Sequence, residues 1–210
     1  MDIVNILSAS RIIPVVAIDD ADAAVPLAKA LLNGGLPVVE VTFRTACAAE
    51  AIKKINSEVK GITVVAGTVL TVQQLNAAKE AGAKACVAPG FDPAVVKAAA
   101  DIGMPFCPGI ATASELSCAL SMGCKIVKFF PAQSAGGVKY IKDLLGAFRF
   151  TGVKFMPTGG INASNAADYL SVPEIICCGG TWIAPKQLIA EANWNAIEEI
   201  ASDAAKLNSR

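Results

Sequence analysis

Two periods alternate along the chain. Short Val- and Ile-rich runs, which read as strands buried on both faces, recur at residues 12–17, 37–43, 63–67, 85–88, 105–109, around Lys128, 154–157 and 175–179. Between them the apolar positions switch to a helical spacing, as in Val25, Leu27, Leu31 and Leu32, which run into Gly34-Gly35. Further helices are predicted at about 47–59, 71–82, 92–103, 114–123, 137–145, 164–170 and 193–207, with Thr71 and Asp92 as caps and Gly82, Gly103 and Gly123 as stops. Residues 1–10 read as a short amphipathic helix, Ile3, Ile6 and Leu7 on one side and Asp2 as its cap, closing one end of the fold.

Strands and helices in strict alternation over 210 residues predict an α/β protein, a single-domain (β/α)8 TIM barrel with an extra N-terminal helix. A doubly wound open sheet is the alternative. It is disfavoured because RIIPVVAIDD stands where a GxGxxG turn after the first strand would.

In a barrel the chemistry gathers at the C-terminal ends of the strands, and alternate residues of a strand share a face. The segment from Cys124 to Gly137, CKIVKFFPAQSAGG, sets Lys128 among Ile126, Val127, Phe129 and Phe130. Burial disfavours an ammonium, and a neutral lysine amine is a nucleophile. The alternative is an exposed lysine that interrupts an aggregation-prone run. On the second strand Glu40, Thr42 and Arg44 fall on one side and Val39, Val41 and Phe43 on the other. On the third, Val64, Ala66 and Thr68 share a face, and on the sixth Ile126, Lys128 and Phe130 do. Glu40, Arg44, Thr68 and Lys128 can therefore converge on one interior space. Glu40 with Lys128 could also be a purely structural ion pair.

Composition narrows the partners. Eighteen basic residues balance eighteen acidic ones without a cluster, so no nucleic-acid or anionic-membrane partner is expected, and a small molecule is. The chain is 54% hydrophobic with a mean hydropathy of +0.52, yet its longest uncharged stretch, 61–78, carries Gln73, Gln74 and Asn76 and reads as no membrane span. With no signal-peptide pattern, a cytoplasmic location is expected. The seven cysteines lack a CxxC pair and read as reduced core residues. There is no histidine, so a Ser-His or Cys-His nucleophile is excluded, and no metal or cofactor is expected. Two glycine turns, PTGGI at 157–161 and GGTW at 179–182, follow the seventh and eighth strands, where such barrels cradle phosphate on backbone N–H groups.

The motifs EVTFRT (40–45), AGTVL (66–70), PGIATASE (108–115), KFFPAQSAGG (128–137), PTGGI and GGTW resemble, in this order, those of the 2-keto-3-deoxy-6-phosphogluconate (KDPG) and 4-hydroxy-2-oxoglutarate (KHG) aldolases. The resemblance implies a class I aldolase, usually a homotrimer, in which Lys128 forms the Schiff base and Glu40 is the acid-base residue. It implies that Arg44 and Thr68 hold the pyruvyl carboxylate and that Gly159, Gly160, Gly180 and Thr181 hold a phosphate. Pro89, Phe130 and Thr158 are further expected substrate-binding residues. Thr181 stands where the family commonly has serine, which bears on the preference for phosphorylated substrate. The C4 epimer of KDPG as substrate, a phosphosugar isomerase or epimerase on the same barrel, and a non-enzymatic sugar-phosphate binder are the other readings.

Overall fold

The computed structural model describes residues 2–209. Nine strands are assigned among them: β1 (Ile12–Val16), β2 (Val38–Thr42), β3 (Thr63–Gly67), β4 (Ala85–Val87), β5 (Phe106–Cys107), β6 (Gly109–Ile110), β7 (Ile126–Phe129), β8 (Lys154–Pro157) and β9 (Cys178–Gly180). All pair in parallel, as a curled six-stranded sheet in the order β5-β4-β3-β2-β1-β9 and a three-stranded sheet in the order β6-β7-β8. The predicted fifth strand is thus split at Pro108, which has no N–H to give to a ladder. Single bridges, Phe155 with Ile175 and Thr158 with Gly179, link the end of the small sheet to the region of β9.

The helices are α1 (Ile3–Leu7), α2 (Ala24–Asn33), α3 (Ala48–Glu58), α4 (Val72–Glu80), α5 (Pro93–Asp101), α6 (Ala113–Ser121), α7 (Gly137–Phe148), α8 (Ala166–Leu170), α9 (Lys186–Ala190) and α10 (Trp194–Ala205). Thr71 and Asp92 do cap α4 and α5, accepting from the N–H of Gln74 and of Ala94. Asp2 does not cap α1, since its side chain makes no capping bond. A 3-10 turn over Ala21–Ala23, opened by Asp20, precedes α2.

Period-2 alternation divides the core. Residues such as Val39, Val41, Val64, Ala66, Val127 and Phe129 pack outward against the helices. Ile13, Val38, Val65, Val87, Cys107, Ile126, Met156 and Cys177 point inward as a separate apolar cluster, plugged from below by Ile3, Ile6 and Leu7 of α1. The inward residues two positions further along β2 and β7 are Glu40 and Lys128. A packed hydrophobic floor therefore carries the polar layer at the C-terminal ends of the strands. The cysteines are free; four are buried, but Cys118 is exposed and Cys47 and Cys124 are half-buried, so the expectation of a core role fits only the four.

Candidate active site

Lys128 and Glu40 sit on that floor, 3% and 0% exposed. The lysine is buried, as the sequence pattern predicts, and its charge is compensated. Nζ lies 3.0 Å from Glu40 Oε1 and 3.4 Å from Oε2. A proton on Nζ makes the pair an ion pair; the same proton on Glu40 leaves a neutral amine able to attack a carbonyl. The Phe130 ring is a further neighbour of the ammonium, its centroid 5.9 Å from Nζ. The lysine's backbone is fixed by its N–H, which donates to the Pro108 carbonyl at 2.8 Å.

Room for the Glu40 carboxylate comes from Gly67, the last residue of β3. A Cβ there would fall 2.6 Å from Glu40 Cγ, inside any real contact, so only glycine lets the carboxylate lie across this strand. The next residue corrects an expectation. By alternation Thr68 would follow Val64 and Ala66 outward to the helices, since those two belong to the outer core. Its backbone has φ +57°, in the left-handed region that a β-branched residue rarely adopts, and this breaks the alternation and brings Thr68 to the cavity wall.

The cavity has a volume of about 290 Å³ and opens at the C-terminal ends of the strands. Lys128, Glu40, Arg44, Thr68, Pro89, Phe130, Thr158, Gly159, Gly160, Gly180 and Thr181 all line it, so every residue singled out from sequence meets here. Four lining residues were not assigned from sequence: Val15, Thr42, Ile161 and Gly179. Thr42 was detectable, because it shares the inward face of β2 with Glu40. Its hydroxyl donates to the Val16 carbonyl at 2.9 Å and accepts from Arg44 Nε at 3.1 Å, which holds the exposed guanidinium over the cavity.

Also on the cavity lining, Gly159 and Gly160 have φ of +101° and +74°, conformations that favour glycine. The N–H groups of Gly159, Gly160 and Thr181 have no hydrogen-bond acceptor among the described residues. Backbone donors without an acceptor, in residues that line one cavity, are what an anion cradle requires. Thr158 Oγ1 is buried and also has no partner among the described residues. Among the described residues no three His, Cys, Asp or Glu side chains gather so as to hold a metal ion.

The comparisons with known proteins agree with this geometry. A sequence model of the KDPG and KHG aldolases matches residues 3–200. The 2-dehydro-3-deoxy-phosphogluconate aldolase of Haemophilus influenzae is 43% identical over 201 residues, covering 96% of this chain and 94% of that protein. A crystal structure of the Legionella pneumophila KDPG aldolase, with pyruvate captured as a covalent carbinolamine intermediate, superposes with a TM-score of 0.92 at 39% identity, covering 96% of this chain and 97% of that one. The Zymomonas mobilis enzyme solved with 3-phosphoglycerate gives a TM-score of 0.88 at 40% identity, covering 96% of this chain and 93% of that one. With a family match along nearly its whole length, the chain belongs to the KDPG and KHG aldolases.

Proposed function

We propose that this protein is a class I aldolase that cleaves KDPG to pyruvate and glyceraldehyde 3-phosphate, and KHG to pyruvate and glyoxylate. The observation that carries the reading is the buried pair of Lys128 and Glu40, 3.0 Å apart on the cavity floor. A fully desolvated ion pair adds little to stability, because removing both charges from water costs about as much as their attraction returns. A chemical role explains its presence better than a structural one.

In the proposed mechanism Glu40 takes the lysine's proton, and the neutral Nζ attacks the C2 ketone to give a carbinolamine. Glu40 returns that proton to the departing hydroxyl, and loss of water leaves a protonated imine beside a carboxylate. Arg44, steadied by Thr42, and Thr68 grip the C1 carboxylate. Glu40, directly or through water, accepts the proton of the C4 hydroxyl as the C3–C4 bond breaks, and the bonding electrons move into the imine. Aldehyde departs and an enamine remains. Protonation at C3 and hydrolysis release pyruvate and restore the lysine. The unpartnered hydroxyl of Thr158 is available to a substrate hydroxyl, and the N–H groups of Gly159, Gly160 and Thr181 to the phosphate of the aldehyde half.

The reading includes closure of the two sheets into one (β/α)8 barrel and a single catalytic domain over 1–210, supported by the bridges from Phe155 and Thr158 to the last strand region. It extends to a cytoplasmic homotrimer. The exposed apolar side chains of Leu70 and Val72 support an association surface, which light scattering tests.

The direct test is borohydride reduction in the presence of pyruvate, followed by peptide mass spectrometry. A reduced pyruvyl adduct on Lys128, absent in Lys128→Ala, is expected. A folded wild-type protein that yields no adduct refutes the imine mechanism. Thr181→Ala is expected to weaken KDPG cleavage more than KHG cleavage, and equal losses would remove the phosphate role.

A further inference from the structure

The anion cradle is tied to the lysine strand by contacts outside the cavity. In the turn that follows β7, the N–H of Ala132 donates to the Thr158 carbonyl at 2.8 Å, and that of Gln133 to the Gly159 carbonyl at 2.9 Å. On the far side Asn165 Nδ2 donates to the Gly160 carbonyl at 3.0 Å. In a planar trans peptide the carbonyl and the following N–H point in opposite directions. Tying back the carbonyls of Thr158 and Gly159 therefore turns the N–H groups of Gly159 and Gly160 the other way, toward the cavity that both residues line.

The Gln133 side chain completes the tie. A Cβ on Gly160 would stand 2.5 Å from Gln133 Cβ, so the two backbones approach as closely as a glycine allows. Gln133 Oε1 accepts from the Tyr169 hydroxyl at 2.9 Å. Tyr169 is only 1% exposed and lies on α8, the helix that follows the cradle. Neither Gln133 nor Tyr169 lines the cavity. Gln133 thus links three segments: its backbone and Cβ meet the cradle, its side chain reaches the helix that follows, and it lies in the turn after Lys128.

We propose that Gln133 and Tyr169 are positioning residues that hold the cradle in register with Lys128, and that they thereby set the preference for phosphorylated over non-phosphorylated keto acids. The inference rests on the phosphate reading above. A misplaced donor pair weakens a phosphate contact and leaves the imine end of the site as it was.

Steady-state kinetics on KDPG and KHG, with inorganic phosphate as a competing ligand, test this in Gln133→Ala, Gln133→Glu and Tyr169→Phe. The KM for KDPG is expected to rise by about tenfold in Gln133→Ala and Tyr169→Phe with kcat retained, less than the ~10²-fold that a 1 Å error can cost. Constants for KHG should stay within about twofold, since that substrate carries no phosphate and depends less on the cradle. Gln133→Glu keeps an acceptor for Tyr169 and should restore the wild-type KM. Phosphate should compete with KDPG in the wild type, and its inhibition constant should rise in Gln133→Ala and Tyr169→Phe. Equal losses on both substrates, or no rescue by glutamate, overturn the proposal. If Gln133→Ala fails to fold, Tyr169→Phe, which removes one oxygen, decides alone. No inhibition of the wild type by phosphate removes the phosphate reading and this inference with it. Inhibition with an unchanged constant in the variants removes this inference alone.

Discussion

Replacing Gly67 by alanine probes the catalytic geometry without touching a reactive group. Gly67 is the last residue of β3, and its φ is not in the positive region, so its backbone accepts alanine without strain. The new methyl would lie 2.6 Å from Glu40 Cγ and 2.7 Å from Cδ, and closer still to Oε1. To regain an ordinary contact the carboxylate must retreat by about 1 Å. Its 3.0 Å contact with Lys128 Nζ cannot survive that movement unchanged, because the oxygen that makes it, Oε1, is the atom nearest the new methyl. A displacement of about 1 Å in a proton-transfer group costs on the order of 10²-fold in kcat, or ~3 kcal/mol of transition-state stabilisation. The assay is pyruvate release from KDPG and from KHG, and both should fall together, since Glu40 serves the step they share. In a Glu40→Ala background the methyl has nothing to displace, so Gly67→Ala should add almost no further loss. A Gly67→Ala enzyme with wild-type kcat, or one whose loss simply adds to that of Glu40→Ala, would refute the assignment of Glu40.

Thr42→Val keeps the shape of the side chain but removes the oxygen that orients Arg44, so the KM for both keto acids should rise by about tenfold, and Thr42→Ser should recover it. A KM unchanged in Thr42→Val would mean that the arginine orients itself. Glu115 reaches back to the N–H groups of Ala111 and Thr112 in a capping box on α6; the Ala111 bond first, then those of Thr112, hold its carboxyl below its ordinary 4.5 against the opposing effect of burial. A depressed folded value stabilises the protein above 4.5, and that contribution is lost as pH falls through the lower folded value. Urea unfolding of Glu115→Gln should therefore lose less stability than the wild type on acidification below 4.5, and parallel curves would contradict the assignment. Burial pushes the Cys86 and Cys178 thiols up to about 12 and raises Cys107 and Cys177 as well. A thiol reagent should label Cys118 first, Cys47 and Cys124 slowly, and the four buried cysteines only after unfolding; mass spectrometry that finds native Cys107 or Cys177 labelled early would show that the interior opens.

Local rules were enough for much of this molecule. Thr71 and Asp92 mark helix starts because a side-chain oxygen caps the N–H groups next to it in sequence, and that bond needs no distant partner. Period-2 alternation alone puts Glu40 above Val38 and Lys128 above Ile126 on inward faces, and the motif order alone points to an aldolase. Alternation placed Thr68 inward on one face with Val64 and Ala66; those two face the helices and Thr68 alone lines the cavity, because alternation holds only while the backbone stays extended and φ there is +57°. The short helix α9 escaped notice because it has no buried residue and so no apolar stripe to announce it. The tertiary structure decided everything that depends on distance between strands. Glu40 and Lys128 are 88 residues apart in sequence, and their 3.0 Å contact is set by the curl and stagger of the sheets. The same holds for the place Gly67 leaves for a carboxylate and for the link from Gln133 to Tyr169. Sequence periodicity fixes which face a side chain takes, because that is a property of one strand. Which side chains then meet depends on how several strands pack, and that is a property of the whole fold.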